Sequence, residues 1–278
     1  MDEWTKSEKE YFEEVSPRRL RALEKEYIWH YPNVSFLLGR IGERARCSPG
    51  DRLTILEVGC GPAVSTRRYF RGNALNPFYL GLDISAVMLA PAARAFPEGY
   101  FVQCDLSVSL PLKGAAFDFI LSLGVLHHLE NFPVSLRKLS ELLRPGGEIL
   151  LQEPNPHAFR FWNGSSPRER SVAPEEVAAA ARDCGLEMVS AHRVNSPIFL
   201  RFRLWMRRLK MGIFLRPRAF WWMKHRLEVL WEPLGGRFPM LRGMNTYYIL
   251  KKLQTPINKS QAKSKTQTAK TIGRDFPA

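Results

Sequence analysis

Three carboxylates follow short apolar segments in the first half of the sequence. Glu57 lies at the end of the first such segment, and Asp83 and Asp105 end the next two. If these segments are neighbouring parallel strands, their carboxyl ends meet at one edge of a sheet, where ligands bind. A carboxylate at that edge can accept hydrogen bonds from the hydroxyl or amino groups of a ligand. We therefore expect the three side chains to form one binding edge.

A glycine turn comes directly after Glu57. Gly59 and Gly61 lie between the apolar run and a segment of helical character, and this order is the nucleotide-binding entry of doubly wound α/β domains. Glycines let a ligand approach the backbone, and a helix N-terminus offers free N–H donors. The dinucleotide fingerprint is incomplete, because Val64 stands at its third glycine, and no Gly-Lys-Ser/Thr follows. A carboxylate at Glu57 would repel a pyrophosphate but suits a cationic ligand.

Two adjacent histidines and a glutamate are candidates for acid–base catalysis. His127 and His128 follow the fourth apolar segment, and Glu153 ends the fifth. A histidine titrates near neutral pH and can remove a proton from a hydroxyl group. Alternatively, one histidine only hydrogen-bonds the backbone at the start of a helix. No metal site is predicted, because the histidines lack ligand spacing with Asp or Glu.

The elements that position these residues alternate along the chain. Apolar runs typical of buried strands alternate with helical segments, which predicts an α/β fold with a doubly wound, largely parallel, seven-stranded sheet. Arg144–Gly147 is expected to stop the helix before the fifth strand. The predicted strands are 53–57, 78–83, 100–105, 117–122, 148–152, 187–194 and 246–252, and the predicted helices are 63–71, 86–96, 133–143 and 174–184.

The glycine turn resembles motif I of the class I S-adenosylmethionine (SAM) methyltransferases. That motif reads acidic-x-Gly-x-Gly-x-Gly, and Ala63 replaces its third glycine here. Phe117–Leu129 is similar to the fourth-strand motif of the small-molecule members, and Leu139–Leu151 to their fifth-strand motif. The resemblance covers residues 50–155 and implies a Rossmann-like fold with SAM as cofactor.

The resemblance also implies roles for nine residues around SAM. Glu57 would face the methionine amino end, Gly59, Cys60 and Gly61 would line the cofactor, Asp83 with Ile84 would hold the ribose, Asp105 with Leu106 would hold the adenine, and Leu123 would lie beneath the sulfonium. The sulfonium is already activated, so the protein mainly supplies proximity and alignment. A base, for which His127, His128 and Glu153 are the candidates, is needed only if the acceptor arrives protonated.

The excess of basic over acidic side chains is confined to the last third of the 278 residues. The formal net charge is +14, yet residues 1–195 carry 23 basic and 24 acidic side chains, against 18 and 3 in residues 196–278. Four scattered cysteines without C-x-x-C suit a reducing compartment, and the chain does not open on a secretory signal. No apolar run reaches the roughly 18–20 residues that span a bilayer. We expect a cytoplasmic protein, with peripheral attachment at the inner face of the membrane.

The basic excess begins in a segment between the sixth and seventh strands. Within 198–232, apolar and aromatic residues fall on one helical face between arginines, and four of the seven tryptophans lie there. This pattern leaves three interpretations open: a helix in an anionic membrane interface, a cap over the acceptor pocket, or a dimer surface. The predicted organisation is a helical cap (1–46) that includes a candidate aromatic lid, a SAM-binding core (47–195), the helical insertion (196–245), the last core strand (246–253) and a disordered basic tail (254–278).

The most specific prediction is SAM-dependent methyl transfer to a small hydrophobic or lipid-linked acceptor at the membrane surface. One alternative is an RNA or protein methyltransferase that docks through its basic third, although the tail lacks the interleaved aromatics of single-strand binders, so nucleic acid is not expected. A second alternative is a non-catalytic SAM-binding subunit of another protein. The acceptor atom and the oligomeric state stay open.

Overall fold

The computed structural model describes residues 34–108, 110–155, 172–194 and 245–253. It also describes short stretches at 9–11, 13–14, 223–224 and 226–228, and the single residues 202, 205 and 230. The aromatic residues at 27–31 that were expected to form a lid, most of the insertion and nearly all of the tail lie outside these residues. The domain boundaries in those parts stay predictions.

The described residues form a seven-stranded sheet with the strand order β3-β2-β1-β4-β5-β7-β6. The first five strands of that order run parallel, whereas β7 pairs antiparallel with both β5 and β6. This sheet confirms the Rossmann-like fold. The strands are β1 (Thr54–Val58), β2 (Phe78–Asp83), β3 (Tyr100–Gln103), β4 (Phe117–Leu123), β5 (Leu143–Pro154), β6 (Leu186–Val194) and β7 (Asn245–Lys252).

Helices follow the strands much as the pattern predicts. Two of them begin at side-chain caps: Ser85 accepts a hydrogen bond from the N–H of Met88, and Asn131 accepts one from that of Val134. Pro174 occupies the first position of another helix. The described helices are α1 (34–47), α2 (Val64–Gly72), α3 (Ala86–Ala95), α4 (Phe132–Leu142) and α5 (Pro174–Asp183).

The helices pack on both faces of the sheet because side chains alternate along each strand. In β1, Leu56 belongs to the core that also contains Leu139 of α4, and Ile55 belongs to the core that contains Leu37 of α1. A partly buried ion pair reinforces the second layer, where Arg40 of α1 makes a two-pronged contact with Glu148 of β5 (2.7 and 3.2 Å). Both faces of the sheet are therefore covered, which leaves the strand ends for a site.

One sequence prediction is wrong at the start of β5. Arg144–Gly147 is expected to stop the helix and to precede a strand that begins at Glu148; helix α4 does end before it, at Leu142, but β5 already begins at Leu143. The four residues form an irregularity in the strand, since Phe117 pairs with Leu143 whereas Phe119 pairs with Glu148. Gly146 takes a left-handed φ of 79° there, and the Arg144 guanidinium bonds Asp118 at 3.1 Å. A Pro-Gly-Gly signal thus marks a bulge as readily as a loop.

Candidate active site

The glycine turn after β1 is built from left-handed backbone. Gly59 and Gly61 have φ values of 62° and 51°, and Ala63 follows with 49° just before α2 begins. A Cβ on Gly59 would overlap Cγ2 of Val125 and lie 3.2 Å from Cγ1, whereas a Cβ on Gly61 would meet no atom within 4 Å. Gly59 is therefore fixed by close packing, and Gly61 borders open space. Ala63 stands where motif I has its third glycine. Its left-handed backbone shows why glycine, which adopts this conformation without strain, is the usual residue there.

Glu57 lies in the interior beneath this turn. The Tyr79 hydroxyl, on β2, donates a hydrogen bond to its Oε2 at 2.6 Å. Burial raises the pKa of Glu57 to about 7, although the hydrogen bond from Tyr79 acts in the opposite direction. The carboxyl group is thus poised between its two forms near neutral pH, and a cation placed beside it would favour the charged form.

Asp83 ties the end of β2 to the glycine turn. Its Oδ2 accepts the N–H of Gly61 at 2.7 Å, and its Oδ1 accepts the N–H of Ser85 at 2.9 Å. Burial raises the pKa of Asp83, while these backbone donors lower it. Each carboxylate oxygen has a further lone pair, so the group can position the turn and still accept from a ligand.

Asp105 follows β3 by two residues. Its Oδ1 accepts the N–H and the hydroxyl of Ser107, at 2.9 and 2.6 Å. Its Oδ2 is buried and has no hydrogen-bond donor among the described residues. The N–H of Cys104 donates to the carbonyl oxygen of Asp83 at 2.9 Å, which links the ends of β2 and β3. A buried carboxylate oxygen without a donor is costly, and an N–H or O–H of a ligand would relieve that cost.

The other four predicted cofactor residues surround the same strand ends. The Cys60 N–H donates to the Leu82 carbonyl at 2.9 Å, and burial raises the pKa of the Cys60 thiol. The Ile84 carbonyl accepts from the Gln103 side chain at 2.9 Å. Leu106 belongs to the core, and Leu123 ends β4 opposite Gln152 of β5.

Glu153 holds the turn that follows β4. It lies in β5 with no exposed surface, and its Oε1 accepts the N–H groups of Val125 and Leu126 at 3.3 and 3.0 Å. Its Oε2 accepts the N–H of His127 at 3.2 Å and contacts Nδ1 of the same residue at 2.8 Å. The His128 ring packs on that of His127, with 4.0 Å between centroids. All three candidate bases thus meet in one cluster.

Sequence reasoning named these residues but missed the groups that hold them. Tyr79, which donates to Glu57, looks like any apolar strand residue, and Val125, which packs on Gly59, looks like any loop residue. The adjacency of β4 and β5 is the signal that could have joined Glu153 to the histidine turn, because their carboxyl ends lie side by side. Among the described residues, no cluster of His, Cys, Asp and Glu could hold a metal ion.

Comparison with known proteins identifies the family of the domain that carries this edge. The family model described as "Methyltransferase domain" matches residues 56–151, which run from β1 through β5. The core is a class I SAM-dependent methyltransferase domain. A malonyl-[acyl-carrier protein] O-methyltransferase of Enterobacter lignolyticus is 36% identical over 34% of this chain and 36% of its own. A ubiquinone biosynthesis O-methyltransferase of Chelativorans is 30% identical over 55% of this chain and 66% of its own.

The fold of the methyltransferase domain also matches solved structures. Magnesium protoporphyrin IX methyltransferase from Synechocystis, crystallised with bound SAH, superposes with a TM-score of 0.55 at 16% identity, covering 70% of this chain and 94% of its own. At that identity the likeness shows the fold alone. The chain spans only part of the length of the curated relatives it matches.

SAM is the cofactor of this domain class, and the residues at the strand ends fit it. The open space above Gly61 leaves room for a ligand against the backbone. The unsatisfied Oδ2 of Asp105 can accept an amino hydrogen, and Glu57 with a pKa of about 7 can answer a positive charge. Asp83 keeps lone pairs for hydroxyl groups. The assignment of each residue to one part of SAM stays a prediction.

Proposed function

We propose that this protein transfers a methyl group from SAM to a small hydrophobic or lipid-linked acceptor, and that it does so at a membrane surface. The observation that carries the first part is the edge formed by Glu57, Asp83 and Asp105 around the left-handed glycine turn. The relative quoted above that is named as an O-methyltransferase of ubiquinone biosynthesis supports an acceptor of that class.

The protein's part in the reaction is to bind, orient and remove a proton. When bound, SAM supplies a methyl group already activated by a sulfonium. Asp83 and Asp105 would accept hydrogen bonds from the polar groups of SAM, and Glu57 would interact with its positive charge. Glu57 is buried, which keeps water from competing for its carboxylate. Where the acceptor arrives protonated, the cluster of His127, His128 and Glu153 is the place where its proton would be taken up.

The described residues of the basic third support membrane contact. Phe202 and Trp205 are exposed, and their rings pair with 6.2 Å between centroids. Met223 and Leu230, in the same part of the chain, are 50% and 70% exposed. Apolar groups beside a strong basic excess suit an anionic lipid interface. None of the helices that the structure describes is both long and apolar enough to cross a bilayer.

Catalysis and membrane contact are tested separately. Titration calorimetry should detect SAM binding, and methyl-labelled SAM should label a lipid-soluble product when the protein is given a lipid extract. SAM binding without any turnover would favour a non-catalytic subunit. Labelling of RNA or protein instead would assign a macromolecular acceptor.

Vesicle flotation tests the membrane surface. Vesicles rich in anionic lipid should retain the protein at low salt and release part of it at high salt, because the attraction is about 1 kcal/mol for each basic residue near the surface. Phe202→Ser together with Trp205→Ser should weaken retention. The matched control is Val189→Ser, which removes an exposed apolar residue of β6 outside the basic third. Equal retention of both variants would contradict insertion of the aromatic pair.

A further inference from the structure

The geometry points to a division of labour within the candidate bases: Glu153 positions His127 with Nε2 free of its proton, and the acceptor group is a hydroxyl that gives its proton to that nitrogen. This inference rests on the proposed methyl transfer and adds the acceptor atom to it. Glu153 is then a positioning residue and not itself a base.

The contacts of Glu153 carry the first step. Its two oxygens meet three backbone N–H groups, those of Val125, Leu126 and His127, at 3.0 to 3.3 Å. All three of these groups are donors, so both oxygens of Glu153 act as acceptors. A fully buried carboxylate that already has these partners is badly placed to receive a proton from an acceptor.

The contact with the imidazole sets the tautomer. Oε2 lies 2.8 Å from Nδ1 of His127, and a carboxylate oxygen can only accept a hydrogen bond. Nδ1 must therefore carry the proton, which leaves Nε2 with a lone pair in the neutral ring. The same logic orients the histidine of a Ser-His-Asp triad, where the carboxylate holds the ring and does not take the proton.

The surroundings of the ring agree with a working base. His127 is 7% exposed, so an acceptor bound there would be shielded from water. A Cβ built on Gly124 would lie 3.7 Å from Cε1, the carbon between the two ring nitrogens. That edge of the ring therefore lies close to the end of β4, where Leu123 is predicted to lie beneath the sulfonium.

A dedicated base implies an acceptor that must lose a proton, and we assign a hydroxyl rather than an amine because the quoted relative of ubiquinone biosynthesis is named as an O-methyltransferase. A carboxylate is already ionised at neutral pH and attacks without losing a proton, whereas an alcohol or phenol is protonated there. As the hydroxyl oxygen bonds the methyl carbon, its proton moves to Nε2 of His127, and the pair of the broken carbon–sulfur bond stays on sulfur. The products are a methyl ether, a neutral thioether and a protonated His127, so atoms and charge balance.

Nitrogen-15 NMR of histidine-labelled protein tests the tautomer without cofactor or acceptor. The signals are assigned with His127→Gln, and in the unsubstituted protein at high pH Nε2 of His127 should show no attached proton. In Glu153→Gln, the side-chain oxygen of glutamine should take the place of Oε1, because two N–H groups donate to that position. The NH₂ group of the glutamine then takes the place of Oε2 and faces Nδ1 of His127. The proton should then move to Nε2. Glu98→Gln, a surface change, should leave the tautomer as it was.

Either tautomer result can overturn the proposal. A proton on Nε2 in the unsubstituted protein contradicts it, whether or not Glu153→Gln folds. An unchanged tautomer in a folded Glu153→Gln protein would show that Glu153 only supports the turn.

The acceptor class is tested with labelled SAM and three probes: 4-methylphenol, decylamine and decanoic acid. Label should enter the phenol, and Glu153→Gln should reduce that rate about 10⁴-fold, as when a triad carboxylate becomes an amide, with SAM affinity retained. Transfer to the amine or the acid but not to the phenol overturns the hydroxyl assignment. Absence of both SAM binding and transfer counts against the proposed function itself, and leaves the tautomer result as a separate outcome.

Discussion

Replacing Gly59 by alanine should damage the fold at the cofactor turn by two separable effects. The left-handed φ of 62° disfavours any L-residue by about 1–2 kcal/mol. The new methyl group would also overlap Cγ2 of Val125, and forcing an extra methyl group into a packed site costs about 1–3 kcal/mol. Alanine restricts the unfolded chain, which returns about 0.4–1 kcal/mol. The net loss should be about 2–4 kcal/mol, a large part of the stability of an ordinary domain.

Gly61→Ala is the matched control, because its φ is also left-handed but its Cβ would enter open space. The strain term remains and the overlap is absent, so the loss in unfolding free energy should be about 1 kcal/mol or less. Its methyl group would instead occupy the space that we assign to SAM. Gly61→Ala should therefore lose affinity for SAM while keeping most of its stability.

Urea denaturation of a double-mutant cycle measures the overlap alone. Val125→Ala removes the methyl groups that the Gly59 substitution would strike, so the double variant should be more stable than the sum of the two losses by about 1–3 kcal/mol. Additive losses would refute the steric argument. A Gly59→Ala protein as stable as Gly61→Ala would do the same.

Three further perturbations test the site and its support. Asp83→Ala removes an acceptor that we assign to two hydroxyl groups of SAM. Hydrogen bonds to a charged group are worth about 1.5–3 kcal/mol, so titration calorimetry should show a loss of SAM affinity of roughly 10- to 150-fold. Unchanged SAM affinity would reject the assignment. The pKa of Glu57 is about 7 in the folded protein and 4.5 ordinarily, so the native state binds the extra proton and stability should fall by about 3 kcal/mol as pH rises between those values. Glu57→Gln should flatten that slope in urea midpoints, and parallel pH curves for the two proteins would contradict it. Arg40→Ala leaves the buried Glu148 without its guanidinium partner and should cost about 1–3 kcal/mol of unfolding free energy, while Arg71→Ala, which breaks an exposed pair, should cost under about 1 kcal/mol.

The strands, and the meeting of three acidic strand ends at one edge, were predictable because their signals are local. Each of the acidic residues Glu57, Asp83 and Asp105 stands at or near a strand end, and parallel neighbours bring such ends together without further information. Predicted and observed bounds of β2 coincide, and those of β6 differ by one residue. Glycine spacing likewise marks the turn whose left-handed backbone the structure shows.

The bulge in β5 and the partner of Glu57 were not predictable, because both depend on contacts between distant residues. Arg144–Gly147 has the composition of a turn, and only its contact with Asp118 and the pairing with β4 keep it within the strand. Tyr79 could have been a plain core aromatic residue. Its hydroxyl reaches Glu57 because the pairing of β1 with β2 places Ile55 beside Tyr79. No pattern in the sequence predicts that register.

The two halves of the site, the predicted cofactor edge and the His127 cluster, also differ in whether local signals or contacts between distant residues build them. The residues predicted to bind the cofactor lie on β1 to β4 and their loops, where one parallel crossover follows another, so a short motif suffices to predict that half. The His127 turn instead depends on Glu153 of β5. Strand β7 pairs antiparallel with this part of β5 and places Thr246 beside Glu153. Strand β7 begins 92 residues after Glu153, beyond the basic insertion, so no local signal in the sequence could predict that pairing.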